Sequence, residues 1–238
     1  MTKITDLNAD ISSGMSAELT QEFNDGEDMV SKESRLADLE LQLEPLTSST
    51  PRAEILLDYA TLLLDFQRKE DSWIAAWEAF NQFSKDENWE LAVVATDILV
   101  SADQKDSMLA LAHGVWLGIT YPINPETSNA ILQHLIDESP VGSETAAVAA
   151  VTAHFLADMR APAGKAGESI RFFTSQRLAE VAAQHRSIKS QEEFDIWMQG
   201  NEFNNPDSFL PKLSAAIDAL ADDRWWIDRD ALRASIPK

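Results

Sequence analysis

From residue 31 onward the chain is a succession of segments in which apolar residues return every three or four positions, separated by short breaks rich in Pro, Gly, Asn and Asp. That spacing gathers apolar side chains on one face of a helix, so the pattern predicts helices throughout and no strand. After a first, weakly periodic helix over 31–44, Thr50 as N-cap and Pro51 at the first helical position open a helix to about Gln67, with Ile55, Leu56, Tyr59, Leu62, Leu63 and Phe66 on its buried side. Asp71 or Ser72 caps the next, where Trp73, Trp77 and Phe80 form an aromatic stripe, and a helix over 88–100 follows. The best-marked pair spans 106–138. Leu109, Ala112, Val115, Trp116 and Ile119 share a face, Tyr121-Pro122 ends the helix, and Asn124-Pro125-Glu126 starts a return helix burying Ile131, Leu132, Leu135 and Ile136. Ser143 caps an Ala-rich helix over 144–160, and helices follow over 168–186, 192–198, 211–221 and 228–234, with Trp225-Trp226 between the last two.

These elements predict an all-α fold of irregular stacked antiparallel helical hairpins, an α-solenoid or compact helical array. Residues 1–30 carry seven acids against Lys3 alone, with interspersed Gly, Ser and Asn, and are expected to form a mobile acidic arm. Residues 31–160 are expected to form the hairpin region, 161–167 (APAGKAG) a flexible linker, and 168–238 a C-terminal helical subdomain packed on it.

Leu117, Gly118, Tyr121 and Ala130 fall at the spacing of the tetratricopeptide helical hairpin, and the pair over 106–138 resembles one repeat of that family. It departs from the pattern at His134, where an aromatic is usual, and at Asp137, where a small residue is usual. The resemblance implies stacked helical hairpins and carries over no ligand-binding residue.

Composition narrows the function. With 45% hydrophobic residues the chain can bury a substantial core, and no run of eighteen uncharged apolar residues suggests a membrane span. The absence of cysteine excludes disulfides, thiolate metal sites and thiol nucleophiles within the chain, and the start MTKITDLNAD has no apolar secretory core, so a cytoplasmic location is expected. A net charge of −21 opposes nucleic-acid and anionic-membrane binding. It leaves attraction to a basic partner, or mimicry of a nucleic acid by an acidic face, as the sharper readings.

Against that charge, Arg160, Lys165, Arg171, Arg177, Arg186 and Lys189 face only Glu168 and Glu180 over 160–189. Arg171, Arg177 and Arg186, with Trp226, are therefore the candidate partner-binding residues. His113, His134 and His154 each fall on a predicted helix. His134 has Asp137 and Glu138 one turn on, and His154 has Asp158, so His134, His154 and Asp158 are the candidate metal ligands of a helical-bundle enzyme. No catalytic motif is present: there is no Gly-x-Ser-x-Gly elbow, and GKAG at 164–167 lacks the residues of a phosphate loop. The sequence therefore favours a non-enzymatic interaction protein, a scaffold, chaperone or assembly factor without cofactor, binding another protein through a helical-repeat groove.

Overall fold

A computed structural model describes residues 29–236, so most of the expected acidic arm lies outside the described residues. The chain divides into two units, residues 1–47 and 48–238. The described part of the first unit is helix α1, residues 29–43, which places Leu36, Leu39 and Leu43 along one face.

The second unit contains α2 (Thr50–Asp65), α3 (Lys69–Lys85), α4 (Trp89–Ser101), α5 (Ser107–Thr120), α6 (Pro125–Glu138), α7 (Glu144–Arg160), α8 (Lys165–Arg186), α9 (Gln191–Gly200), α10 (Pro206–Ala221) and α11 (Arg229–Ser235). The fold is all-α, with no strand among the described residues. Hairpins begin at Thr50, Trp89, Pro125 and Lys165. Within each the two helices pack together, the second packs on the first helix of the next hairpin, and successive first helices touch. First helices α2, α4, α6 and α8 thus form one layer, and second helices α3, α5 and α7 the other. Helix α10 lies against α5 and α7, covering the second layer with Phe209, Leu213, Ile217 and Ala221, spaced four residues apart and all buried.

The turns are tight because the chain reverses through one left-handed residue. Gln67 after α2 (φ 57°), Glu87 after α3 (φ 54°) and Asp103 after α4 (φ 53°) hold that conformation without being glycine. Arg68 N–H then bonds Leu63 C=O at 2.8 Å and Asn88 N–H bonds Phe83 C=O at 2.9 Å, satisfying carbonyls the helix ends leave open. Buried serines join neighbouring helices in a recurring way. Ser72 donates to Ala60 C=O at 2.8 Å, Ser107 to Leu99 C=O at 2.9 Å, and Ser128 to Gly118 C=O at 3.0 Å. Hairpin-to-hairpin links run between first-layer ends: the Glu90 carboxylate accepts from Asn124 N–H at 2.7 Å and from the Thr127 hydroxyl at 2.6 Å, holding the start of α6.

Helix α5 carries no Asp, Glu, Lys or Arg and is buried on nearly all sides, between α4, α6 and α10. A β-carbon on Gly114 would meet Thr96 Oγ1 and the Ile131 side chain, so α4 and α6 approach α5 there as only glycine permits. At Gly118 the neighbours are Ser128 and Ile131, whereas Ala130 is on the outer side of α6.

Several boundaries differ from the expected ones. Ser49 rather than Thr50 precedes α2, and the Thr50 hydroxyl reaches Asp86 Oδ2 at 2.7 Å. Helix α3 starts at Lys69, which leaves Ser72 inside it. Helix α8 starts at Lys165, so the turn after α7 is only residues 161–164. Gly167 is needed at this place because a β-carbon would collide with Pro162 C=O. Helix α10 starts at Pro206 with Asn205 as its cap, and Pro211 sits within it. Pro211 is tolerated early in the helix because both it and Asp207, whose carbonyl loses a partner, are exposed to water.

Candidate partner-binding groove

The four histidines take four different environments. His113, fully buried on α5, donates from Nδ1 to Leu109 C=O at 2.7 Å and accepts at Nε2 from the Trp226 backbone N–H at 2.8 Å. Trp226 stacks on the ring at 4.3 Å, with Trp225 at 4.8 Å and Phe80 at 6.0 Å. Burial pushes the imidazole down to about 4. Both ring nitrogens are engaged, which leaves no lone pair for a metal.

His134 on α6 holds Asp97 on α4 at 2.9 Å, and that bond raises its pKa against the opposing effect of partial burial. The Thr174 hydroxyl donates to Ile170 C=O, so His154 Nδ1–H donates to Thr174 Oγ1 at 3.1 Å. His154 Nε2 lies 3.7 Å from Asp158. His185 accepts from Trp197 Nε1 at 3.0 Å. His113, His134 and His154 therefore serve separate bonds. No three His, Cys, Asp or Glu side chains gather as a ligand set among the described residues.

The feature with binding geometry lies in the first layer, between α6 and α8, where the two first helices touch less than their predecessors do. The gap is a groove of about 310 Å³ with α7 as its floor. Ala150 and Ala153 form that floor, small enough to leave depth for an inserted side chain. Ile170 and Phe173 of α8 and Ile136 of α6 make apolar walls. Two polar atoms at the groove are buried without a hydrogen-bond partner, Asn129 Oδ1 and Arg177 Nε. Both atoms lie beneath the groove surface, and an unmade bond at a buried polar atom costs about 1–3 kcal/mol. Glu126 stands at the N-terminal end of α6, its carboxylate engaged by no side chain among the described residues.

Of the candidate partner-binding residues, the structure brings Arg177 to this groove, where its guanidinium also bonds Asp137 and Glu180. Arg171 turns the other way and closes the 161–164 turn, donating to Ala161 C=O and Pro162 C=O at 3.4 Å. Arg186 is exposed at the far end of α8. Trp226 is half-buried and spent within the chain, edge-on to Trp77 at 4.3 Å and against Phe80 at 5.5 Å. A second cavity, of about 450 Å³, lies on the opposite side of α8, lined by His154, Leu178, Lys189 and Phe194 among others.

The sequence reading overlooked Asn129, Ala150, Ala153 and Glu126. One signal was available on α8: Phe172 and Phe173 are adjacent, about 100° apart on a helix, and cannot both join the Ile170-Thr174 side. Both are largely exposed, 57% and 66%, with their rings 5.9 Å apart.

The architecture places the chain in the class of all-α arrays of stacked helical hairpins. No protein-family model, curated protein or solved structure matches it. Among the described residues no helix is long and apolar enough to cross a membrane.

Proposed function

We propose that the chain is a protein–protein interaction module, a scaffold, chaperone or assembly factor, that seats a segment of a partner protein in the groove between α6 and α8. The observation that carries this reading is the apolar groove itself, an alanine floor on α7 between the walls Ile136 of α6 and Ile170 and Phe173 of α8. An apolar side chain of the partner segment fills the space over Ala150 and Ala153. The lack of cysteine fits action in a reducing cytoplasm.

A displayed library of random peptides, selected against the full chain, tests this. Peptides enriched on the wild type are expected to be lost on Ala153→Leu, which fills the floor at a helical position suited to leucine, with the unfolding midpoint kept within a few degrees. Equal enrichment on both proteins would sink the groove.

A further inference from the structure

The first-layer helices that lead up to the groove are almost uniformly acidic. Carboxylates number three on α2, two on α4 and three on α6, against Arg52 as the only Lys or Arg and His134, which is held by Asp97. Arg52 is itself paired with Glu78 at 2.6 Å. The α6 wall of the groove carries Glu126 at one end and Asp137 and Glu138 at the other, with no Lys or Arg between. The α8 wall differs, with Lys165, Arg171, Arg177 and Arg186 against Glu168 and Glu180. But Arg171 is committed to the 161–164 turn, Arg186 lies at the far end, and Arg177, the cation that lines the groove, is shared by Asp137 and Glu180. Glu126 differs from its counterpart in the preceding hairpin. Glu90, at the same second position of α4, has both carboxylate oxygens committed to the start of α6. Glu126 holds nothing on α8, whose N-cap is Gly164 with no side-chain bond.

From these observations we propose that the occupant of the groove is a basic segment of a partner protein. Its apolar anchor rests on Ala150 and Ala153, and a Lys or Arg beside the anchor pairs with Glu126. This rests on the groove reading above and adds the chemistry of the occupant. The acidic layer attracts such a segment from a distance, and the whole chain, at −21, reinforces that attraction. Glu126 fixes its direction, because the apolar floor lies on one side of the carboxylate only.

Parallel selections of one peptide library on the full-length wild type, Glu126→Lys and Ala153→Leu test the proposal. The wild type is expected to enrich sequences with Lys or Arg beside a Leu, Ile or Phe. A lysine-bearing peptide from that set should bind Glu126→Lys about fivefold more weakly, and a glutamate in place of its lysine should recover part of the loss. Neutral or acidic peptides dominating the wild-type selection, or an unchanged preference on Glu126→Lys, overturns the basic occupant while leaving the groove intact. Binding that survives Ala153→Leu instead overturns the groove. If the wild type forms a dimer by light scattering that Ala153→Leu breaks, the occupant is a second copy and the basic partner is overturned.

Discussion

At His113 the proton donor is the backbone N–H of Trp226, so the ring nitrogen receiving it must be unprotonated in the folded chain. Burial among Trp225, Trp226 and Phe80 disfavours the charged ring, which is why the imidazole titrates at about 4 rather than at its ordinary 6.5. A histidine with a lowered folded pKa favours the unfolded chain wherever only the unfolded chain is protonated. Its stabilisation is complete above pH 6.5 and lost as pH falls toward 4, roughly 3 kcal/mol in all. His113→Phe is expected to lower the midpoint at pH 7, since the Trp226 N–H loses its acceptor, yet to flatten the fall between pH 7 and 5 seen by circular dichroism. An identical slope in variant and wild type would rule out this residue as the source. His134 has the opposite sign: Asp97 raises its pKa, so its contribution is present below 6.5 and fades as pH rises through the higher folded value. The sequence places His113, His134 and His154 on helices. It gave no means of telling the buried one from the others, because the partner of His113 lies 113 residues away.

Helix starts were legible at three places where a side chain caps the first turn, because capping is a local code. Asn124, Ser143 and Asp228 accept from the N–H groups of Glu126, Ala146 and Ala231, at the places their sequence marks. Asn205 caps α10 in the same way, accepting from Asp207 N–H at 3.1 Å, with Pro211 one turn inside the helix rather than at its start. Helix C-termini were less legible, since the left-handed residues that end α2, α3 and α4 are not glycine. Glu87 is the clearest case: it is exposed, and the side chain makes no bond that its φ of 54° would repay. Glu87→Gly is expected to stabilise the chain by about 1 kcal/mol, read as an upward shift of a denaturant midpoint with unchanged slope. At the other end of α5, Arg160 donates to Gly118 C=O at 2.7 Å and Ile119 C=O at 2.8 Å, and its half-buried position lowers its pKa. Arg160→Ala leaves those carbonyls and Ser128 without the guanidinium and should cost about 2–3 kcal/mol. Arg160→Lys should recover little of that, because one ammonium cannot span the fork. Full recovery by lysine would show that charge rather than geometry matters there.

For the whole molecule, periodicity disclosed which face of each helix is apolar but not what that face meets. Hence the stacked hairpins were legible, whereas the particular helices that α10 covers, α5 and α7, and the open seam between α6 and α8 were not. Net charge, in contrast, is read from the sequence alone and has consequences for stability and binding that run in opposite directions. The salt bridges are mostly exposed pairs, such as Lys69 with Asp103 and Lys212 with Glu144, each worth about 0–1 kcal/mol. Against them stands the mutual repulsion of a chain at −21. Raising sodium chloride from about 10 mM to 150 mM shortens the screening length from about 30 Å to 8 Å, which removes distant repulsion before it weakens contact pairs. The thermal midpoint is therefore expected to rise with salt. A fall would mean that the ion pairs outweigh the repulsion. Affinity for a lysine-bearing peptide in the α6–α8 groove should decline over the same range, because the field that destabilises the fold is the field that draws the peptide in. If both quantities rose together, peptide binding would be driven by the apolar anchor alone, and the acidic first layer would contribute nothing to it.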